Sequence, residues 1–140
     1  VPLSDSATTK WDIGINFVNI ILNSHASGPG QGGVIVKSGN YESLTSAPTD
    51  GYAYDTSTTQ LAINSNPFSP DAWFVYDPTT HAFSQKAGLF FIIKTADGKY
   101  AKLEILEVKY ADYDPGAMYP KKLIYKFRYT YQSNGSVNFN

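Results

Sequence analysis

Few side chains in this chain could do chemistry, so those that could are quickly named. There are two histidines, His25 and His81, one methionine, Met118, and no cysteine. The lack of thiols excludes disulfides, thiolate zinc sites and cysteine nucleophiles. Nucleophile–base catalysis needs a histidine beside a serine or aspartate in the fold, and neither histidine sits in a recognisable motif, so an enzyme is not expected. The run Gly28 to Gly33 (GPGQGG) looks superficially like a phosphate loop. It lacks the lysine and the following helix, because Val34 opens a strand, and it reads as a structural turn. Asp112 and Asp114 with Gly116 fall short of the ligand count of a calcium loop and read as solvated. What remains is His81 at the end of a predicted hairpin turn, Met118 in a loop beside Tyr113 and Tyr119, His25 in the glycine loop, and Phe68 on a polar, two-proline loop. Imidazole nitrogen and thioether sulfur are both axial ligands of heme iron, and flat aromatic side chains suit a porphyrin. Against this, a hairpin-end histidine is usually a surface residue and a lone loop methionine usually fills a gap.

The elements that must position these residues are strands. Gly88 to Leu106 is the clearest: Leu89 to Ile93 is an apolar run of strand length, and Thr95-Ala96-Asp97-Gly98 supplies turn chemistry. Tyr100, Lys102 and Glu104 then alternate with Ala101, Leu103 and Ile105, the period of a strand with one buried face. Trp11 begins a long strand whose alternation blurs at Val18 to Leu22, which predicts a bulge or burial on both faces. Val34 to Val36 is a short strand, Tyr41 to Leu44 a helical turn and Tyr52 to Tyr54 a short strand. Trp73 to Tyr76 is a strand, Asp77 to Thr80 a turn, and His81 to Ser84 the start of its return. Lys121 to Gln132 alternates Leu123, Tyr125, Phe127, Tyr129 and Tyr131 against Ile124, Lys126, Arg128 and Thr130. The reading is an all-β, mostly antiparallel single domain over residues 1–140, with long loops and little helix.

Composition narrows the function classes. The 140 residues suit one core. An aromatic share of 15% favours strands, and a charged share of only 16% fits a secreted or surface β-protein better than a cytosolic enzyme. With net charge −1 and a single arginine, Arg128, there is no basic stripe for nucleic acid. No apolar run approaches the roughly 20 residues of a membrane-spanning helix.

Several segments together resemble the HmuY family of hemophore-like surface lipoproteins of Bacteroidetes. They are Trp11-Asp12-Ile13-Gly14, the Asn23–Gly33 loop, Trp73 to Asp77 with Thr79-Thr80-His81, Lys94 to Leu103 (KTADGKYAKL), and Tyr125 to Tyr131. The resemblance runs from about Trp11 to Gln132. It implies an all-β protein outside the outer membrane, as a lipid-anchored or secreted form whose anchor is not part of this chain. It also implies capture of heme (iron protoporphyrin IX), free or from host heme proteins, and delivery to a TonB-dependent outer-membrane receptor for iron acquisition. Family members hold the iron through two axial side chains from loops, a histidine pair in some and a methionine pair in others. One methionine excludes a Met–Met site here. His81 with Met118 is the leading pair, with His25–His81 and a tyrosine ligand, Tyr113 or Tyr119, as alternatives and Phe68 as a pocket candidate. Family members carry further β-structure before the Trp-Asp-Ile strand, so the chain is expected to lack those strands and to expose an edge open to self-association. The alternative function is a surface module for a glycan or a host protein, since exposed aromatic rings stack on sugars too.

Overall fold

A computed structural model describes residues 3–111 and 122–140. The fold is all-β and antiparallel; two three-residue 3-10 turns, Leu3–Asp5 and Tyr41–Ser43, are the helical segments among the described residues. The strands are β1 (Ile13–Asn16), β2 (Asn19–Leu22), β3 (Gly33–Ser38), β4 (Phe74–Asp77), β5 (Ala82–Gln85), β6 (Leu89–Lys94), β7 (Tyr100–Tyr110) and β8 (Leu123–Gln132). A central sheet runs in the order β3-β6-β7-β8, and β1-β2 and β4-β5 form separate hairpins.

The central sheet is covered on both faces, because β6 is apolar from Leu89 to Ile93 and so offers a hydrophobic surface to each side. Phe91 and Ile93 point into one cluster, with Val34, Leu103 and Ile105 from the sheet, Ile20 and Leu22 from β2, Trp73 just before β4 and Phe74 at its start. Phe90 and Ile92 point the other way, into a second cluster closed by Tyr41, Ala47, Tyr52 and Phe139. The two hairpins therefore lie over one face, and irregular chain lies over the other.

This second covering layer alters the reading of β7. The alternation predicts that Lys102 faces solvent, yet Lys102 is only 5% exposed. Its Nζ donates to the carbonyls of Tyr41 (3.0 Å) and Leu44 (2.9 Å) and lies 4.3 Å from the Tyr41 ring centroid. Two carbonyls and an aromatic face replace part of the water that the ammonium gives up. The neighbouring Arg128 joins the same layer to the sheet, reaching Glu104 on β7 and Glu42 in the 3-10 turn, both at 2.6 Å.

Two other expectations change. The strand from Trp11 is neither bulged nor continuous: Phe17-Val18 is a tight turn, so Ile13 pairs with Leu22 and Asn16 with Asn19. Phe17 takes φ 55°, a left-handed conformation that bulky residues rarely adopt. Tyr52 to Tyr54 contributes a single bridge, Ala53 to Val34, rather than a strand. In the turn after β6 only Gly98 is left-handed (φ 83°). The Thr95 hydroxyl caps this turn by donating to Asp97 and accepting from the Lys99 N–H, both at 2.7 Å.

The glycine loop is a packing device. The buried Asn23 side chain donates to the carbonyls of Thr8 and Trp11 and accepts from Gly30 N–H. A Cβ on Gly28 would stand 2.2 Å from Asn23 Oδ1, and one on Gly30 would stand 2.6 Å from the Asn23 carbonyl oxygen. The loop needs glycine because its backbone lies directly on Asn23.

Candidate functional site

The β4–β5 hairpin carries the site. Asp77 ends β4, and its carboxylate accepts from Thr79 N–H (2.8 Å) and from the Thr80 hydroxyl (2.7 Å). Those bonds, the Thr80 hydroxyl first, hold the Asp77 carboxyl below its ordinary range. The turn they brace ends at His81, in the left-handed region at φ 56°. His81 Nδ1 lies 2.5 Å from the Tyr76 hydroxyl. Register explains the meeting: Asp77 pairs with Ala82 and Tyr76 with Phe83, so His81, one residue before the paired strand, folds back over Tyr76.

Tyr76 and His81 form part of a cleft of about 770 Å³, also lined by Phe17, Pro67, Phe68, Thr80, Phe83 and Tyr110. Phe83 is the hub of its wall. Its ring meets Tyr76 at 5.1 Å, Phe74 at 5.3 Å, Phe17 at 5.4 Å and Tyr110 at 5.7 Å. Phe74 belongs to the buried core, so the wall is anchored in the protein interior. Burial, and next the nearby Tyr76, push the Tyr110 hydroxyl above its usual pKa.

Three fixings place the remaining wall. Trp73 Nε1 donates to the Val18 carbonyl at 2.9 Å, and the Tyr125 hydroxyl donates to the Phe17 carbonyl, so the β1–β2 turn is held at both residues. Burial pushes the Tyr125 hydroxyl up to about 12. The β4–β5 hairpin is tied to the sheet where β7 bulges between Ile105 and Glu107: the Leu106 carbonyl accepts from Gln85 Nε2 at 2.7 Å. Phe68 stands at the rim, 85% exposed.

Of the candidates named from sequence, the structure brings His81 and Phe68 to one cleft. His25 is not in its lining; it stacks on Tyr54, centroids 4.9 Å apart, at φ 46°. Met118, Tyr113 and Tyr119, with Asp112 and Asp114, lie outside the described residues. Before and after them in the chain, Tyr110 pairs with Leu123, and Tyr110 lines the cleft. Phe17, Tyr76, Phe83 and Tyr110 were missed from sequence, because each reads there as an ordinary strand or hairpin residue. A cross-strand count would have found Tyr76 and Phe83, which fall on one face of a hairpin ending in histidine.

A second hollow, of about 560 Å³, is lined by Asn19, Thr58, Gln60, Asn64, Ser65 and Asn66 among others. Ser65 bonds to Asn19 and Asn64 to Ser69, and no aromatic ring among the described residues walls it.

The family model described as HmuY protein matches residues 3–129. The chain belongs to the HmuY family. No curated protein matches it. The match takes in the whole cleft wall of this HmuY-family chain, from Phe17 to Tyr110. The donor set suits heme: an imidazole with one nitrogen engaged and the other without a partner among the described residues, beside an aromatic slot within the roughly 300–1,000 Å³ of ligand pockets. Among the described residues no helix is long and apolar enough to cross a membrane, and no group of three or more His, Cys, Asp or Glu could hold a bare metal ion.

Proposed function

We propose that this protein is a non-enzymatic heme carrier of the bacterial surface, taking heme into the Phe17–Phe83–Tyr110 cleft with His81 as one axial ligand. The observation that carries this reading is the placement of His81, one of only two histidines, on the rim of an aromatic cleft in an HmuY-family chain. Heme, when bound, supplies the iron and a flat apolar surface; the protein binds, orients and shields it. Phe83 and its neighbours offer ring faces and edges to the porphyrin, and Phe68 covers it from the rim.

Met118 is the proposed second ligand. It stands five residues before Leu123, whose partner Tyr110 lines the cleft. Five residues of chain reach at most about 17 Å, a length that permits this ligand. A carrier of this kind takes heme from solution or from host heme proteins and yields it to a TonB-dependent outer-membrane receptor. Side-chain ligation suits release, since loss of two loop contacts frees the group without breaking a covalent bond.

The double substitution His81→Ala/Met118→Ala tests the assignment. It is expected to abolish the six-coordinate low-spin heme spectrum while the protein stays folded. An unchanged low-spin spectrum contradicts it. Affinity for an oligosaccharide, with indifference to heme, would favour the glycan-binding reading instead.

A further inference from the structure

The Tyr76 hydroxyl carries more than packing. It sits 2.5 Å from His81 Nδ1, at the end of a chain of rings that runs from the buried Phe74 through Phe83 to Tyr76. A neutral imidazole carries one proton on two nitrogens, and only the unprotonated nitrogen has a lone pair to give a metal. With Nδ1 capped by the phenol oxygen, Nε2 is the nitrogen open to a ligand. Nε2 can ligate only if the ring proton sits on Nδ1. The phenol oxygen must then accept from Nδ1–H, with its own proton turned elsewhere. A free histidine side chain favours the opposite tautomer, with the proton on Nε2.

Resting on His81 as the iron ligand, we propose that Tyr76 is its positioning residue: the phenol oxygen accepts the Nδ1 proton and so fixes the tautomer that bares Nε2. The hydrogen bond also makes the imidazole a stronger donor, since a ring that shares its far proton holds more electron density on the ligating nitrogen. A stronger donor favours ferric over ferrous iron. Tyr76 therefore tightens ferric heme and lowers its midpoint potential without touching the metal.

The test is Tyr76→Phe, which keeps the ring against Phe83 and removes only the oxygen. In heme-free, nitrogen-15-labelled protein at mildly alkaline pH, His81 of the wild type is expected to show Nδ1 protonated and Nε2 bare, and Tyr76→Phe to shift the majority to Nε2–H. With ferric heme, Tyr76→Phe is expected to bind about tenfold more weakly, the low end of what loss of such a partner costs a metal site, and to show a higher midpoint potential. The same tautomer in both proteins, or a wild-type His81 protonated on Nε2, overturns the proposal whether or not heme binds. A Tyr76-dependent tautomer in a protein that takes up no heme upholds the hydrogen-bond assignment and overturns the heme reading on which the ligand role rests.

Discussion

Phe68 is the residue whose two possible roles separate most cleanly. At 85% exposure it has almost no packing to lose, so Phe68→Ala should move the urea midpoint by less than about 0.5 kcal/mol equivalent. As a rim residue of the cleft it should nevertheless weaken heme binding severalfold, measured by absorbance titration. Asp55 is the reverse case: it is fully buried, lies outside the cleft lining, and accepts from Leu22 N–H (2.8 Å) and Ala62 N–H (2.9 Å). Asp55→Ala leaves one buried and one half-buried donor bare and should cost about 3 kcal/mol in chemical denaturation, with heme affinity unchanged in the folded fraction. Sequence reading names His81 and Phe68 as candidates by type and loop position, and both line the cleft. It does not identify Asp55, Asn23 or Lys102, because each owes its role to backbone groups far away in the chain; Asp55 and Leu22 are 33 residues apart. A carboxylate that will meet backbone amides looks the same in sequence as one that will meet water.

At the scale of elements, the hairpin signals were the most legible. The β4–β5 and β6–β7 hairpins follow from apolar runs divided by turn residues, and both form. The Phe17-Val18 turn was hidden because neither residue is a turn former; the tertiary bonds from Trp73 and Tyr125 hold it in place of local chemistry. Burial of both faces of β7 was hidden too, since the layer that covers Lys102 is irregular chain with no period to read. The turn that presents His81 depends on Asp77, so Asp77→Ala should weaken heme binding while leaving the thermal midpoint nearly unchanged. The lowered Asp77 pKa gives the sign of a pH effect: the bracing is present above the ordinary carboxylate range and is lost as pH falls through the folded value. Heme affinity in the wild type should therefore drop in strong acid partly through this turn. Lys102→Ala, on the opposite face, removes the donor to two carbonyls and should destabilise by about 3 kcal/mol, read from the urea midpoint.

For the whole molecule, two covered faces turn a tyrosine-rich composition into an alkaline liability. Burial raises the pKa of Tyr52, Tyr125 and Tyr41, so the folded state holds these protons more tightly than the unfolded chain. Their contribution is complete below about pH 10, the unfolded value, and is lost as pH rises through the folded ones. The urea midpoint should fall steadily above about pH 10, and Tyr125→Phe should make that fall shallower. The aromatic cleft lies between the tips of two hairpins and the end of β7. The proposed function requires that this cleft receive heme. It is tested most directly by titrating the protein with ferric heme, reading the absorbance, and then reducing with dithionite. A saturable, shifted Soret band and sharp α and β bands on reduction are expected, all lost in His81→Ala/Met118→Ala. A titration indistinguishable from heme in buffer would contradict it.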